Sequence, residues 1–496
     1  ECRDENAILA VTMSKGLCLP PRALLAYVVL VVVGFAAESS AHTAEEWKGR
    51  AIYQLLTDRF STGTDSPSQC TNLGSYCGGT FAGIIDNLDY IQGMGFDAIW
   101  ISPVVDNTDG GYHGYWAKDL FEINSHFGTA AELRALVTAL HKRGMWIMLD
   151  VVGNHMGYGA PSTDFAPFSL PEHYHDCNQC PQYCNIDDWG NQNQVELCRL
   201  VGLPDLNQSN PFVASTLQGW VKQIVSNYSL DGLRIDTIPE VDKGFWGQFK
   251  AAAGVYTVGE VDNGDINYVA PYQASSPGTS APGVDGTLSY PLFFTLQNVF
   301  ARGQSMSQIT DMLNKYASKF ANPALLGTFI DNHDNPRFLS LTHDRQLYKN
   351  AITFVLMTQG IPIVYYGTEQ WLDGTNDPAN REALWNTGYS TTTDMYSLIK
   401  TVLTHRSKTS SWKEPQVQRF ADDQFYAFSR GESLVLTTNV GENGHVQREI
   451  TYHPYKVGTK ICNIFYADGS DCVTVTSTGF GIYLAKGESK IYTPAS

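Results

Sequence analysis

The sequence predicts an α/β fold: a (β/α)8 TIM-type barrel with a small inserted domain after the third strand and a C-terminal antiparallel β-sandwich. Three observations carry this. From Arg50 to about residue 370 helical and strand patterns alternate, and the strands are continuous apolar runs, as in a parallel sheet covered by helices. A long stretch, about 156 to 202, breaks that rhythm and carries four cysteines. Beyond about Trp412 the pattern turns to short alternating stretches separated by Gly, Asn and Asp. The expected divisions are 1–41, an N-terminal extension with a targeting segment; 42–155 and 205–410, the two parts of the barrel; 156–204, the insert; and 411–496, the sandwich.

In chain order, Lys15 and Arg22 precede an uncharged apolar run from Ala23 to Ala37, and Ser39-Ser40-Ala41 supplies small residues for cleavage, the pattern of a secretory signal. Residues 1–12, ahead of Met13, read as upstream sequence. Leu88, Ile91 and Met94 mark a helix before a strand at Phe96 to Ile101. Thr129 and Glu132 form a capping box, Leu133, Leu136, Val137 and Leu140 give the apolar stripe behind it, and Gly144 stops the helix. Met145 to Leu149 then read as a buried strand ending in Asp150. Asn210-Pro211 opens a helix through Val213, Leu217, Val221 and Ile224, and the Asp231-Gly232 turn leads to the strand carrying Arg234 and Asp236. Val255 to Val258 and Leu325 to Ile330 read as further strands, and Phe425 to Phe428 and Ser433 to Thr438 as strands of the sandwich.

A formal charge of −17 with no basic run argues against nucleic acid and anionic membrane as partners. In an oxidising compartment, cysteines are expected as disulfides. Cys70 with Cys77 and Cys462 with Cys472 are close enough for local loops. Cys177, Cys180, Cys184 and Cys198 are compatible with two bridges or, with His173 and His175, with a zinc cluster. Asn207-Gln208-Ser209 and Asn227-Tyr228-Ser229 are N-glycosylation acceptors.

The chemistry gathers at strand ends. Arg234 and Asp236, two apart on a strand, project to one side, and an adjacent cation favours an ionised carboxylate. The other clusters are Asp150-Val151-Val152-Gly153-Asn154-His155, Gly259-Glu260 and Asn332-His333-Asp334. In a closed barrel the C-terminal strand ends surround one axis, so these residues are expected in one pocket.

The segments Asp150–His155, Gly232–Thr237, Gly259–Val261 and Phe329–Asp334 resemble the four signature regions of the family 13 glycoside hydrolases, the α-amylases. Leu203-Pro204-Asp205-Leu206, Gly360 to Gln370 and Gly111-Tyr112-His113-Gly114-Tyr115-Trp116 are similar to further family stretches, nearest to secreted fungal-type enzymes. The resemblance implies hydrolysis of internal α-1,4 bonds of starch, glycogen or malto-oligosaccharides with retention. It assigns Asp236 as nucleophile, Glu260 as acid/base and Asp334 as transition-state stabiliser. It places His113, Tyr115, Trp116, His155, Arg234 and His333 around the sugar at the cleavage site, and Asp377 and Arg381 on the next sugars. It also implies Ca2+ between insert and barrel, on the side chains of Asn154 and Asp205, an oxygen of Glu196 and the backbone carbonyl of Glu240. A secreted monomer without membrane anchor is expected. Pro239-Glu240 departs from the family's Lys-His pair on the leaving-group side, which keeps a 4-α-glucanotransferase as the alternative. Ala270 and Phe320, or its neighbour, stand in place of a family disulfide, while Cys177 with Cys180 is expected as an added one.

Overall fold

The computed structural model describes residues 42–495 apart from Asp65, Ala281 and Ala467; the expected targeting segment, with Cys2 and Cys18, lies outside the described residues. Eight strands build the central sheet: β1 (Ile52–Leu55), β2 (Ala98–Ile101), β3 (Trp146–Val151), β4 (Gly232–Ile235), β5 (Tyr256–Gly259), β6 (Gly286–Thr287), β7 (Gly327–Thr328) and β8 (Ile361–Tyr365). Their spatial order is β6-β5-β4-β3-β2-β1-β8-β7, all neighbours parallel. A parallel bridge between Leu288 and Gly327 joins the two ends into a barrel. Gly286 has no side chain for a physical reason, since a Cβ there would stand 2.0 Å from the Leu325 carbonyl at this closure.

The barrel interior is filled by side chains, Ile52, Trp100, Met148, Tyr256, Val258 and Ile363 among them. The outer faces of the strands and the surrounding helices share a second apolar core. Helix signals in the sequence act as read. Thr129 caps Ala130–Lys142 in a complete capping box, Asn210 caps Pro211–Tyr228, and Gly254 ends Lys243–Ala253 at φ 69°. One strand is much shorter than its apolar run: within Leu325 to Ile330 only Gly327–Thr328 pair. Leu325 closes a 3-10 turn, and Leu326 donates its N–H back to Pro323.

The segment between β3 and β4 holds short helical turns and the helix Gln192–Leu197. Here Cys177 is bonded to Cys184 and Cys180 to Cys198, which corrects the expected Cys177 with Cys180 bridge and excludes these thiols from a zinc cluster. Cys177–Gln179 is a single 3-10 turn, and Cys180 beyond it faces the end of the Gln192–Leu197 helix, its Sγ 3.4 Å from the Leu197 carbonyl. Cys70 with Cys77 and Cys462 with Cys472 pair as read.

The C-terminal region is antiparallel. Gln416–Ala421, Phe425–Arg430, Ser433–Thr438, Lys490–Pro494, Lys460–Asn463 and Cys472–Thr474 form one sheet, and Val446–Ile450 pairs with Phe480–Leu484 across from it. Alternation along a strand serves two cores: Phe425 and Ala427 face the second sheet, whereas Tyr426 and Phe428 pack on Phe354 of the barrel helix Arg345–Met357.

Candidate active site

Arg234, fully buried on β4, organises the site. Its Nη1 lies 2.9 Å from Asp150 Oδ1, at the end of β3, and 2.6 Å from Asp236 Oδ1; its Nη2 lies 2.8 Å from Glu260 Oε1, just past β5. One guanidinium thus binds three carboxylates, the planar fork that a lysine lacks. Thr237, at φ 47°, turns its N–H onto Glu260 Oε2 at 3.1 Å. Burial pushes the Glu260 carboxyl well above the usual range; the Asp236 and Asp334 charges push the same way, against Arg234. Asp150 is pushed up to about 7 by burial, with Arg234 opposing.

A hydrogen-bonded chain supports this centre. Gln54 Nε2 lies 2.9 Å from His333 Nδ1, so the ring proton belongs on Nε2, which meets Tyr115 Oη at 2.6 Å. Tyr115 in turn donates to Asp150 Oδ2 at 2.8 Å. The Tyr115 and His333 rings are parallel, 5.3 Å apart. Burial, together with Arg381 and Arg234, holds His333 well below its ordinary pKa, hence neutral. His155 approaches the Tyr115 carbonyl at 3.2 Å, and His113 accepts from Tyr115 N at 3.1 Å. Arg381 bridges Asp334 at 3.3 Å and Asp377 at 3.1 Å.

These groups open on a cleft of about 660 Å3, lined by His113, Tyr115, Trp116, His155, Asp236, Glu260, Asp334, Asp377 and Arg381; Arg234 and His333 lie beneath its wall. The structure therefore brings together every residue read from the sequence as catalytic or sugar-contacting. It adds Asp262, Tyr158, Trp189 and Val201, which the sequence reading missed. Asp262 had a signal, standing two residues past Glu260 on the same rim. The other three sit in loops without periodicity.

The residues read as metal ligands lie beside the cleft. One end of the Asn154 amide points at Asp205 Oδ1, 3.0 Å away, and at the Glu240 carbonyl, 3.1 Å away. With its nitrogen there, the amide donates to both. With its oxygen there, three oxygens converge, from just past β3, from the residue that follows the insert and from the turn past β4, the hard donor set a calcium ion takes. The donor chemistry fits. Asp205 is buried, pushed up to about 7 by that burial, and touches His175 Nδ1 at 2.6 Å. The Glu196 carboxylate is hydrogen-bonded to Gln192 at 2.8 Å. Among the described residues no three His, Cys, Asp or Glu side chains converge as a metal cluster.

Glu240, read for its carbonyl and for its place on the leaving-group side, also lines the cleft. Its Oε2 is buried with no hydrogen-bond partner, and burial followed by the Asp236 charge pushes the group up to about 8. Of the glycosylation acceptors, Asn227 is exposed and Asn207 half-buried.

The model of the alpha amylase catalytic domain family matches residues 54–456. Alpha-amylase 1 of Lipomyces kononenkoae is 48% identical over 375 residues, 72% of this chain; the match spans 58% of that protein's length. The alpha-amylase of Saccharomycopsis fibuligera is 40% identical over 97% of this chain and 98% of its own. The solved structure of an alpha-amylase from Malbranchea cinnamomea superposes with a TM-score of 0.85 at 38% identity, covering 91% of this chain and 98% of that one.

Proposed function

The chain belongs to the α-amylase family of glycoside hydrolases, and from that premise we propose that it is an endo-acting, retaining enzyme cleaving internal α-1,4-glucosidic bonds of starch, glycogen and malto-oligosaccharides. One observation carries the mechanism: a single buried guanidinium holds both Asp236 and Glu260. Retention requires two carboxyl groups roughly 5–5.5 Å apart, one nucleophilic and one able to give up a proton. Sharing the two ends of one planar cation keeps them on that short scale.

In this reading Asp236 attacks the anomeric carbon while Glu260 protonates the departing glycosidic oxygen, so one C–O bond forms as the other breaks. Glu260, now a carboxylate, takes a proton from water, whose oxygen displaces Asp236 and regenerates both groups. The elevated pKa of Glu260 suits it to arrive protonated. Asp334, His155 and neutral His333 grip hydroxyls of the distorted sugar, with His113 and Trp116 beside it. Tyr115 supplies a ring face, and Asp377 and Arg381 hold the next units.

Calcium is part of the proposal: Asn154, Asp205, the Glu240 carbonyl and an oxygen of Glu196 would hold it. When bound it ties insert to barrel electrostatically, with no part in bond cleavage. Secretion fits the four disulfides among the described residues, and a monomeric state is part of the same proposal. Among the described residues no helix is long and apolar enough to cross a membrane. The domain limits 42–155, 156–204, 205–410 and 411–496 are part of the same proposal.

The test is incubation of the purified chain with maltoheptaose. Shorter products alone are expected; longer ones would replace hydrolysis by the 4-α-glucanotransferase reading, and an unchanged substrate would overturn both.

A further inference from the structure

Resting on the function just proposed, we propose that Val201 and Tyr158 form an apolar platform on the insert's rim of the cleft. It binds the ring face of a glucose unit remote from the cleaved bond and thereby favours longer glucans. Both residues line the cavity that holds Asp236 and Glu260. Both are nevertheless open to solvent, Val201 at 71% and Tyr158 at 44%. An isopropyl group displayed in water on a cleft wall contributes nothing to the core, so its apolar area remains available to a ligand.

The backbone supplies a second, independent observation. Val201 has φ 49°, the left-handed region that β-branched side chains avoid. A turn alone would be served by glycine, which follows at Gly202 with φ 86°. The strained conformation is instead held from outside. Tyr158 Oη donates to the Val201 carbonyl at 3.0 Å, and the Tyr158 ring stands edge-on to Trp116 at 4.9 Å. Three residues upstream of Val201, the Cys180–Cys198 disulfide anchors the same segment. Trp116, Tyr158 and Val201 therefore make one continuous rim, running outward from Tyr115 at the buried carboxylates. Its chemistry is aromatic and aliphatic, matched to the C–H face of a pyranose and indifferent to charge.

The experiment compares kcat/KM on maltotriose and maltoheptaose, with Tm, for the unaltered full chain, Val201→Gly and Val201→Asn. Glycine relieves the strain, whereas asparagine tolerates the left-handed backbone but replaces the apolar surface by a polar one. Both variants are expected to lose roughly threefold to tenfold on maltoheptaose and to stay within about twofold on maltotriose. Val201→Gly is expected to melt higher than the unaltered chain, so the loss cannot be assigned to weakened folding. Equal losses on both substrates, or an unchanged rate on maltoheptaose, would overturn the platform while leaving the parent function standing. An unaltered chain inert toward maltoheptaose would overturn both.

Discussion

Around the ends of β3, β4 and β5 two groups of buried carboxylates are compensated in opposite ways. Asp150, Asp236 and Glu260 share the Arg234 guanidinium, a fixed internal cation. Asp205 and Glu240 have no arginine or lysine paired with them among the described residues; Asp205 meets His175 and the Asn154 amide, and Glu240 Oε2 has no hydrogen-bond partner. Burial is similar, with Asp205 at 3% and Glu240 at 7% exposure against 7% for Asp236. The lesson is that burial alone does not say what a carboxylate is for. A cation built into the chain makes the first group ready for chemistry, while the second is left to a proton or to an ion from solution.

Perturbing each group separately sharpens the contrast. The largest effect is expected at the proton donor: Glu260→Gln should lower kcat on maltoheptaose by roughly 10²- to 10⁴-fold. An aryl maltoside with a good leaving group should be spared part of that loss, because its departing oxygen needs less protonation. Equal losses on both would remove Glu260 from that role. Arg234→Leu comes next. It strands three carboxylates and should lower unfolding stability by about 3–5 kcal/mol, measured by denaturant titration, with activity lost as well. Chelation should act on the second group alone. Exhaustive chelator treatment should lower Tm and activity together, by about 4 kcal/mol of stability if the ion normally stands at 1,000 times its Kd. Asp205→Asn should lower Tm without chelator and make the protein indifferent to it; unchanged melting of the unaltered chain would remove the ion.

Smaller effects follow. In chelator-treated protein Glu240→Leu should raise stability by about 1 kcal/mol, since it deletes an unsatisfied buried polar group. This is opposite in sign to Arg234→Leu six residues away in sequence, and a loss instead would mean that the carboxyl is paired. Last, Glu260 must be protonated to act, so activity falls as pH rises through its elevated pKa. Removing the Asp334 charge lowers that pKa, and the residual activity of Asp334→Asn should show its alkaline limb at lower pH than the unaltered chain.

The sequence was readable where period and position coincide. Buried strands such as Trp146–Val151 and capped helices such as Ala130–Lys142 carry long, unambiguous patterns, and Asp150, Arg234, Asp236, Glu260, His333 and Asp334 stand at strand ends where a barrel must gather them. Strands of two residues have no pattern to read, so β6 at Gly286–Thr287 went unnoticed and β7 was drawn too long. Loops have none either. Trp189, Tyr158 and Val201 reach the cleft through a path fixed by tertiary packing. The insert's cysteines show the same limit, because four cysteines allow three pairings and spacing does not choose among them.

Those bridges also bear on how the chain reaches its oxidised form. Each disulfide of the described residues closes a short local loop, with separations of 7, 7, 18 and 10 residues. None links the insert to the barrel or the barrel to the C-terminal sheets. Oxidation can therefore proceed segment by segment before the barrel closes, and a mispaired bridge within the insert can be reshuffled without dismantling the rest. By the same token a reductant should loosen three separate surface segments while leaving the Arg234 cluster, which contains no sulfur, in place.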